Sequence, residues 1–190
     1  MLKKAFFAAA EDTLQPLYTG VDRSPNDFAC ILSSCKAGNY SISTVDSEYK
    51  KFSEALKCVL TEIAAAMADC ENGRRLFCSV QEAKSKRIAQ TLANALIFSH
   101  TLRSQMFAGK MCIESLLCAL CNANEALALD KMQVYFQSEK GNICVWDYGK
   151  QTDVAQSLQE NVLSAKDVYI DVRLHTGNYK ATSIAQLCKE

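Results

Sequence analysis

The clearest pattern along the chain is a stripe of hydrophobic residues that begins after a helix-capping residue, Asp46 or Ser47. Its members recur every three or four residues, so they fall on one face of a helix, with most of the charged residues elsewhere. They are Tyr49, Phe52, Leu56, Val59, Leu60, Ile63 and Met67. We therefore predict a long amphipathic helix that ends at Asn72-Gly73.

Similar spacing predicts further helices on both sides of this one. Pro16 ends the first, because proline disfavours helical backbone in the residue before it. Ser24 followed by Pro25 is typical of a helix start. A stripe from Ile88 to Met106 indicates a long, centrally buried helix. The predicted ranges are residues 2–15, 24–38, 75–108 and 110–129.

The hydrophobic period changes from helical to alternating after residue 130. Residues 132–137 and 143–146 flank a turn and predict a β-hairpin. A short helix around Leu158 and an alternating run over 168–174 follow. The predicted fold class is α+β, mainly α, with an antiparallel helical bundle over 1–130. A small antiparallel β element over 131–190, made of hairpin, short helix and further strand, packs on it as one structural unit.

Composition is that of a globular chain, with 49% hydrophobic and 22% charged residues. No stretch approaches the roughly 20 apolar residues needed to span a bilayer. The apolar run over residues 5–10 is shorter than the core of a secretion signal, about 7–15 residues. We expect no transmembrane segment and a location in the cytoplasm or another reducing compartment.

Ten cysteines, at positions 30, 35, 58, 70, 78, 112, 118, 121, 144 and 188, fall mostly within helical hydrophobic patterns. We interpret most of them as buried packing thiols, since free cysteine packs as a small hydrophobe. Cys118 and Cys121 form the one CxxC pair, and structural zinc needs a second pair. We expect no metal and no cofactor, with a reactive thiol as the alternative interpretation.

Catalytic motifs are not evident in the sequence. His100 lies on a predicted helix and His175 at a predicted turn, and neither has a partner at helical spacing. Nucleophile-elbow, P-loop and dinucleotide-binding patterns do not occur. The sequence therefore predicts no catalytic residues and a protein that is not an enzyme.

Charge is unevenly distributed in a chain that is neutral overall, with 21 basic and 21 acidic residues. Residues 74–110 contain seven basic residues and the single acid Glu82, a net charge of +6. Such a window could attract phosphates or an acidic partner. The alternative is that these charges pair with acids of neighbouring helices.

The function predicted from these features is that of a non-enzymatic adaptor, chaperone or assembly subunit within a larger complex, with other protein subunits as partners. One alternative is the coat or scaffold protein of a helical nucleoprotein particle, with nucleic acid on the 74–110 window. A second alternative is a thiol-dependent enzyme. The predicted partner-binding residues are Arg74, Arg75, Lys84, Lys86, Arg87, Phe6 and Phe7.

Overall fold

One mixed β-sheet organises the computed structural model, which describes residues 1–18, 28–69 and 73–187. The helices of the described residues are α1 (Leu2–Thr13), α2 (Ser47–Met67), α3 (Lys86–Phe98), α4 (His100–Phe107), α5 (Ile113–Cys121) and α6 (Gln156–Leu163). The strands are β1 (Leu17–Tyr18), β2 (Arg74–Ala83), β3 (Gln133–Ser138), β4 (Gly141–Asp147), β5 (Lys150–Gln151), β6 (Asp167–Arg173) and β7 (Tyr179–Leu187).

Strands from both parts of the chain share this sheet, in the order β1-β7-β2-β6-β3-β4-β5. The central strand β2 pairs parallel with β6, with Arg75 opposite Asp167, and antiparallel with β7. The β3–β4 hairpin extends the sheet beyond β6, and β3 pairs antiparallel with β6. Residues far apart in sequence are therefore neighbours on each face of the sheet.

The two faces of the sheet differ in their covering. Alternate residues of β2, including Leu76, Cys78 and Val80, are fully buried in the main core together with residues of α3, α4, α5 and α6. On the other face, α1 and α2 cover one end, where Ala64 and Ala68 of α2 pack with Ile184 of β7. The remainder of that second face is lined by polar and aromatic side chains, as described below.

The predicted fold class is wrong, because the chain forms a seven-stranded mixed sheet with helices rather than a bundle followed by a small β element. The decisive error lies at residues 75–83, predicted as helix and found as strand β2. Leu76, Cys78 and Val80 alternate with half-buried residues, which is the two-residue period of a strand. The helical stripe that begins at Ile88 does not extend back across them.

Other predicted helices have mixed outcomes. The helices at the N-terminus and after Asp46 are confirmed, although the second ends at Met67 rather than at Asn72-Gly73. Asp46 caps α2 by accepting a hydrogen bond from the Tyr49 amide at 2.9 Å. Residues 28–38 are not helical, and the predicted start at Ser24 lies outside the described residues. The helix predicted over 110–129 ends at Cys121. The hairpin, the short helix and the following strand are confirmed.

The cysteines do not follow the packing interpretation. Of the eight that the structure describes, Cys78 alone is buried, and burial raises the pKa of its thiol. The exposed ones are Cys30, Cys35, Cys58, Cys118 and Cys121, and Cys112 and Cys144 are half-buried. All eight are free thiols, and Cys70 and Cys188 lie outside the described residues.

Within the described ranges, the helices are all too short or too polar to cross a membrane.

Gly177 marks a point where two chain segments come too close for a side chain. A Cβ at this position would overlap the Ala83 carbonyl, and the Gly177 amide donates to Glu82 O at 2.8 Å. We expect Gly177→Ala to lower the free energy of unfolding by at least about 2 kcal/mol, because backbone must move to admit the methyl group. Urea denaturation measures this change.

Gly38→Ala is the control for this substitution. Gly38 has a φ of +69° but no atom within 4 Å of the added Cβ, so its cost should stay near about 1 kcal/mol. Equal effects at the two glycines would contradict the steric explanation.

Candidate functional site

The predicted basic residues separate into several sites rather than forming one patch. Arg74 and Arg75 are adjacent in β2 and therefore point to opposite faces of the sheet. Lys84, Lys86 and Arg87 follow the other end of that strand, roughly 30 Å away at about 3.3 Å per residue. The structure thus does not bring the five residues together.

Arg74 connects the ends of two helices. Its guanidinium donates to the carbonyls of Met106 at 2.8 Å and Phe107 at 2.5 Å, at the end of α4, and to that of Leu163, at the end of α6. Carbonyls at helix C-termini lack partners within the helix and carry partial negative charge. Burial lowers the pKa of Arg74. The positive charge of Arg74 therefore stabilises two helix ends within the protein. Arg74 also lines a cleft of about 700 Å³.

Arg75 pairs with a carboxylate across two parallel strands. Its Nε and one terminal nitrogen each donate to Asp167 at 2.6 Å, the two-pronged geometry that suits guanidinium and carboxylate. The hydrogen bond to Asp167 raises the pKa of Arg75. Next to this pair, Phe77 stacks on Tyr169 with ring centroids 4.7 Å apart.

The remaining basic residues, apart from Lys84, also have acidic partners. Arg87 binds Glu125, with nitrogen–oxygen distances of 2.7 and 3.4 Å. Lys86 contacts Asp12 of α1, and Lys57 of α2 donates to the same carboxylate at 2.7 Å. Lys84 lines a small, mainly apolar pocket of about 200 Å³.

The two predicted phenylalanines lie on α1. Phe7 is exposed and Phe6 half-buried, and their rings meet edge to face with centroids 6.3 Å apart. The Lys3 ammonium lies 5.8 Å from the Phe7 ring centroid. Partner binding by these residues and by the basic residues stays a prediction.

A polar surface that the sequence analysis missed lies on the second face of the sheet. We call it the open face, and its residues are Gln81, Tyr135, Tyr169, Asp171 and Arg173. Tyr169 is 41% exposed, yet the carboxylate of Asp171 beside it is buried. Asp171 accepts hydrogen bonds from Gln81 at 2.6 Å and from Arg173 at 3.1 Å. The Arg173 guanidinium lies 4.8 Å from the centre of the Tyr135 ring.

Beside the open face, residues of four chain segments form what we call the polar corner: Glu82, Gln133, Asp147, Tyr148 and His175. His175 Nδ1 lies 2.5 Å from a Glu82 carboxylate oxygen, and Nε2 lies 2.9 Å from Gln133 Oε1. Gln133 donates its amide to Asp147 at 2.7 Å, which directs its oxygen toward His175. Both imidazole nitrogens thus face acceptor oxygens.

The backbone at the polar corner is unusual. Glu82, Tyr148 and His175 have φ values of 57°, 44° and 51°, in the left-handed region that favours glycine. The Tyr148 and His175 rings stack with centroids 5.6 Å apart. Non-glycine residues in such conformations concentrate at functional sites. Chemically, His175 contacts a carboxylate and an amide rather than a hydroxyl or thiol, so the corner contains no activated nucleophile.

The polar residues of the open face could have been found in the sequence. In β2 the residues Phe77, Ser79 and Gln81 share one parity, and in β6 the residues Tyr169 and Asp171 do the same. Once the two strands are recognised as neighbours, these positions must meet on one face.

Among the described residues, no group of three or more histidine, cysteine or acidic side chains could hold a metal.

The Asp12 carboxylate leads to a pH-dependent prediction. Burial opposes its ionisation, but hydrogen bonds from Lys57 and Lys86 outweigh burial and lower the pKa of Asp12. A carboxyl whose pKa is lower in the folded state stabilises the fold above its unfolded pKa, about 3.9, and loses this effect as pH falls. We expect Asp12→Asn to lower the free energy of unfolding at pH 7 by about 1–2 kcal/mol.

This difference should shrink toward zero as the pH falls from 5 to 2, as measured by urea denaturation of both proteins. The matched control is Glu48→Gln, which removes an exposed pair with Lys51. It should change stability by less than about 0.5 kcal/mol. A pH-independent loss in Asp12→Asn would contradict the proposed role of its charge.

The polar corner generates a second prediction. His175→Phe keeps an aromatic ring against Tyr148 but removes the contacts to Glu82 and Gln133. Because these groups are partly exposed and water can replace the lost donor, we expect it to destabilise the protein by only about 0.5–1.5 kcal/mol in thermal unfolding at neutral pH. Tyr148→Phe retains the stacking and should be nearly neutral. A neutral His175→Phe would contradict the claim that the contacts of His175 with Glu82 and Gln133 stabilise the protein.

The comparisons with known proteins agree with one another. The ArgJ family model matches residues 1–187. The arginine biosynthesis bifunctional protein ArgJ of Caldanaerobacter subterraneus is 28% identical over 184 residues, which make up 96% of this chain and 46% of that protein. ArgJ 1 of Clostridium acetobutylicum is 26% identical over 185 residues, 96% of this chain and 45% of the relative. The chain spans about half the length of these relatives.

The fold is also similar to a solved structure. The crystal structure of arginine biosynthesis bifunctional protein argJ from Bacillus halodurans superposes with a TM-score of 0.89 and 19% sequence identity. The match covers 99% of this chain and 88% of that chain.

These findings overturn the function predicted from the sequence. A non-enzymatic adaptor, chaperone or nucleoprotein coat does not agree with relatives named as bifunctional proteins of arginine biosynthesis, and the prediction that the protein is not an enzyme is wrong. Neither the absence of familiar motifs nor the prediction of a helical bundle excludes catalysis. The family match includes nearly every residue, and the fold is shared across its length: this chain belongs to the ArgJ family.

Proposed function

We propose that this chain forms one half of an arginine-biosynthesis enzyme of the ornithine acetyltransferase type. The observation that carries this proposal is the family match over residues 1–187. The chain supplies a folded sheet-and-helix layer, and the rest of an ArgJ-type protein supplies the complementary layer. That remainder is either part of the same polypeptide or a separate chain.

The covering of the sheet supports this division. Helices cover one face fully, whereas the second face carries Tyr169 and Arg173 open to solvent. A polar sheet face with a buried, hydrogen-bonded carboxylate suits contact with another protein layer, because its hydrogen bonds are already satisfied. The open face is therefore the surface on which we place the remainder of the enzyme.

The lengths of the relatives give independent support. The chain covers 88% of the argJ chain in the Bacillus halodurans structure but 46% of the Caldanaerobacter protein. A chain of about this size thus occurs in a solved ArgJ structure. We place part of the reactive groups for acetyl transfer in the remainder, and His175 of this chain contacts an amide and a carboxylate.

Conditions in the cytoplasm fit the exposed thiols. Five cysteines of the described residues are both exposed and free, and a reducing compartment maintains that state. The partners that we propose are the remainder of the enzyme and its small-molecule substrates. Contacts by Lys84, Phe6 and Phe7 with that remainder are part of the same proposal.

A chimeric enzyme tests the proposed function. In the Caldanaerobacter protein, the segment that aligns with this chain is replaced by this chain, and the product is expressed in bacteria that lack their own ArgJ and require arginine. We expect growth without arginine, and acetyl transfer by the purified chimera when acetylated ornithine is supplied. The intact relative is the positive control, and the relative without the segment is the negative control. A folded chimera that supports neither growth nor transfer would contradict the proposal.

A further inference from the structure

Residues 28–45, which we call the arm, expose three large hydrophobic side chains almost completely. Phe28 is 87% exposed, Leu32 89% and Tyr40 98%. Scattered apolar residues are common on protein surfaces, but three large ones within thirteen residues are not. Burying side chains of this kind stabilises a protein by about 1.5–3 kcal/mol each. That stabilisation is unused in the chain by itself.

The backbone of the arm also lacks most hydrogen-bond partners. The arm contains no helix or strand, and it makes no backbone–backbone hydrogen bond with other described residues. Its few hydrogen bonds are local side-chain contacts, such as that from the Cys35 amide to Ser33 at 3.4 Å. Most of its amides and carbonyls therefore have no hydrogen-bond partner among the described residues, although backbone groups in folded proteins are generally paired.

The sequence of the arm favours strands rather than a permanent loop. Residues 40–45 are rich in aromatic and β-branched residues, with Tyr40 and Ile42 alternating with serines, and residues 28–33 include Phe28 and Ile31. Between these two runs, Cys35 and Gly38 have φ values of 55° and 69°, typical of chain reversals. Lys36 is the single charged residue of the arm. Depletion of charge is characteristic of the buried centre of protein interfaces.

The arm leads directly into α2, the helix that with α1 covers only one end of the second sheet face. It therefore precedes an element that borders the surface on which the proposed function places the remainder of the enzyme. Each run of six residues would span about 20 Å as a strand, enough to pair with a typical sheet edge.

We propose that the arm folds as a strand–turn–strand unit against the remainder of the ArgJ-type enzyme, adding its backbone to a sheet edge there and burying Phe28, Leu32 and Tyr40. This inference rests on the proposed function and specifies a contact additional to the open face. Strand addition supplies the missing backbone partners, and side chains on alternate positions fill pockets of the partner.

Photo-crosslinking in the protein as its own cells produce it tests this contact. The crosslinking amino acid p-benzoylphenylalanine replaces Leu32 or Tyr40 in the arm, or Tyr169 on the open face. We expect all three positions to crosslink to sequence that matches the part of ArgJ relatives outside this chain, as identified by mass spectrometry. Lys51, exposed on α2, is the control position and should not crosslink.

The outcomes separate the two proposals. Crosslinks from Tyr169 but not from the arm would overturn the arm contact and leave the proposed function intact. Crosslinks from the arm to a second copy of this chain would also overturn it, in favour of self-association. If none of the three positions reaches ArgJ-type sequence, both proposals fail.

A proline substitution adds a second measurement. Ser43→Pro removes one backbone donor from the second run, so we expect at least a tenfold lower crosslinking yield at Tyr40. Ala37→Pro, between the two runs, is the matched control and should preserve the yield. Neither substitution should change the melting temperature of the isolated chain, because the arm is unpaired there. An unchanged yield in Ser43→Pro would contradict strand pairing.

Discussion

The structure depends on the pairing of one strand, β2, with two strands from the end of the chain. Parallel pairing to β6 joins residues 92 positions apart, and antiparallel pairing to β7 joins residues 96 to 113 positions apart. Those contacts set the register that buries Leu76, Cys78 and Val80 on one face and leaves Gln81 on the other. Because a strand alternates its faces, a shift of one residue would exchange the core for the polar surface. The core and the open face are therefore two consequences of one register.

The sequence predicts local elements better than their assembly. The hydrophobic period and the Asp46 cap suffice to predict the α2 helix, although not its end. The β3–β4 hairpin is predictable because its strands pair with near neighbours. Strand β2 resembles a helix in the sequence because Phe77 interrupts its alternation of apolar and polar residues and a strong helical stripe follows at Ile88. Its partners lie so far along the chain that no local pattern indicates them. A single misassigned strand at the centre of the sheet changed the fold class.

The candidate site is hidden from sequence for a related reason. Glu82, Gln133 and His175 meet only because the sheet brings β2, β3 and the end of β6 together. Individually they are an acid, an amide and a histidine in loops or strand ends, without recognisable spacing. Function was still harder to predict, since the chain corresponds to about half of its relatives and the described residues contain no activated nucleophile beside His175. Family membership became evident from whole-chain similarity rather than from a motif.

The contacts of Arg74 and its basic neighbours show that the +6 net charge of residues 74–110 is largely used within the protein. Arg74 offsets the partial negative charge at the ends of two helices, and Arg75, Lys86 and Arg87 each face a carboxylate. Those acids come from Asp167, Asp12 and Glu125, all outside residues 74–110. Charge counted along the sequence is thus partly neutralised across space, so the electrostatic potential around this part of the surface is weaker than +6 suggests. Counterions and polyanions approaching the protein respond to that local potential, not to the linear sum.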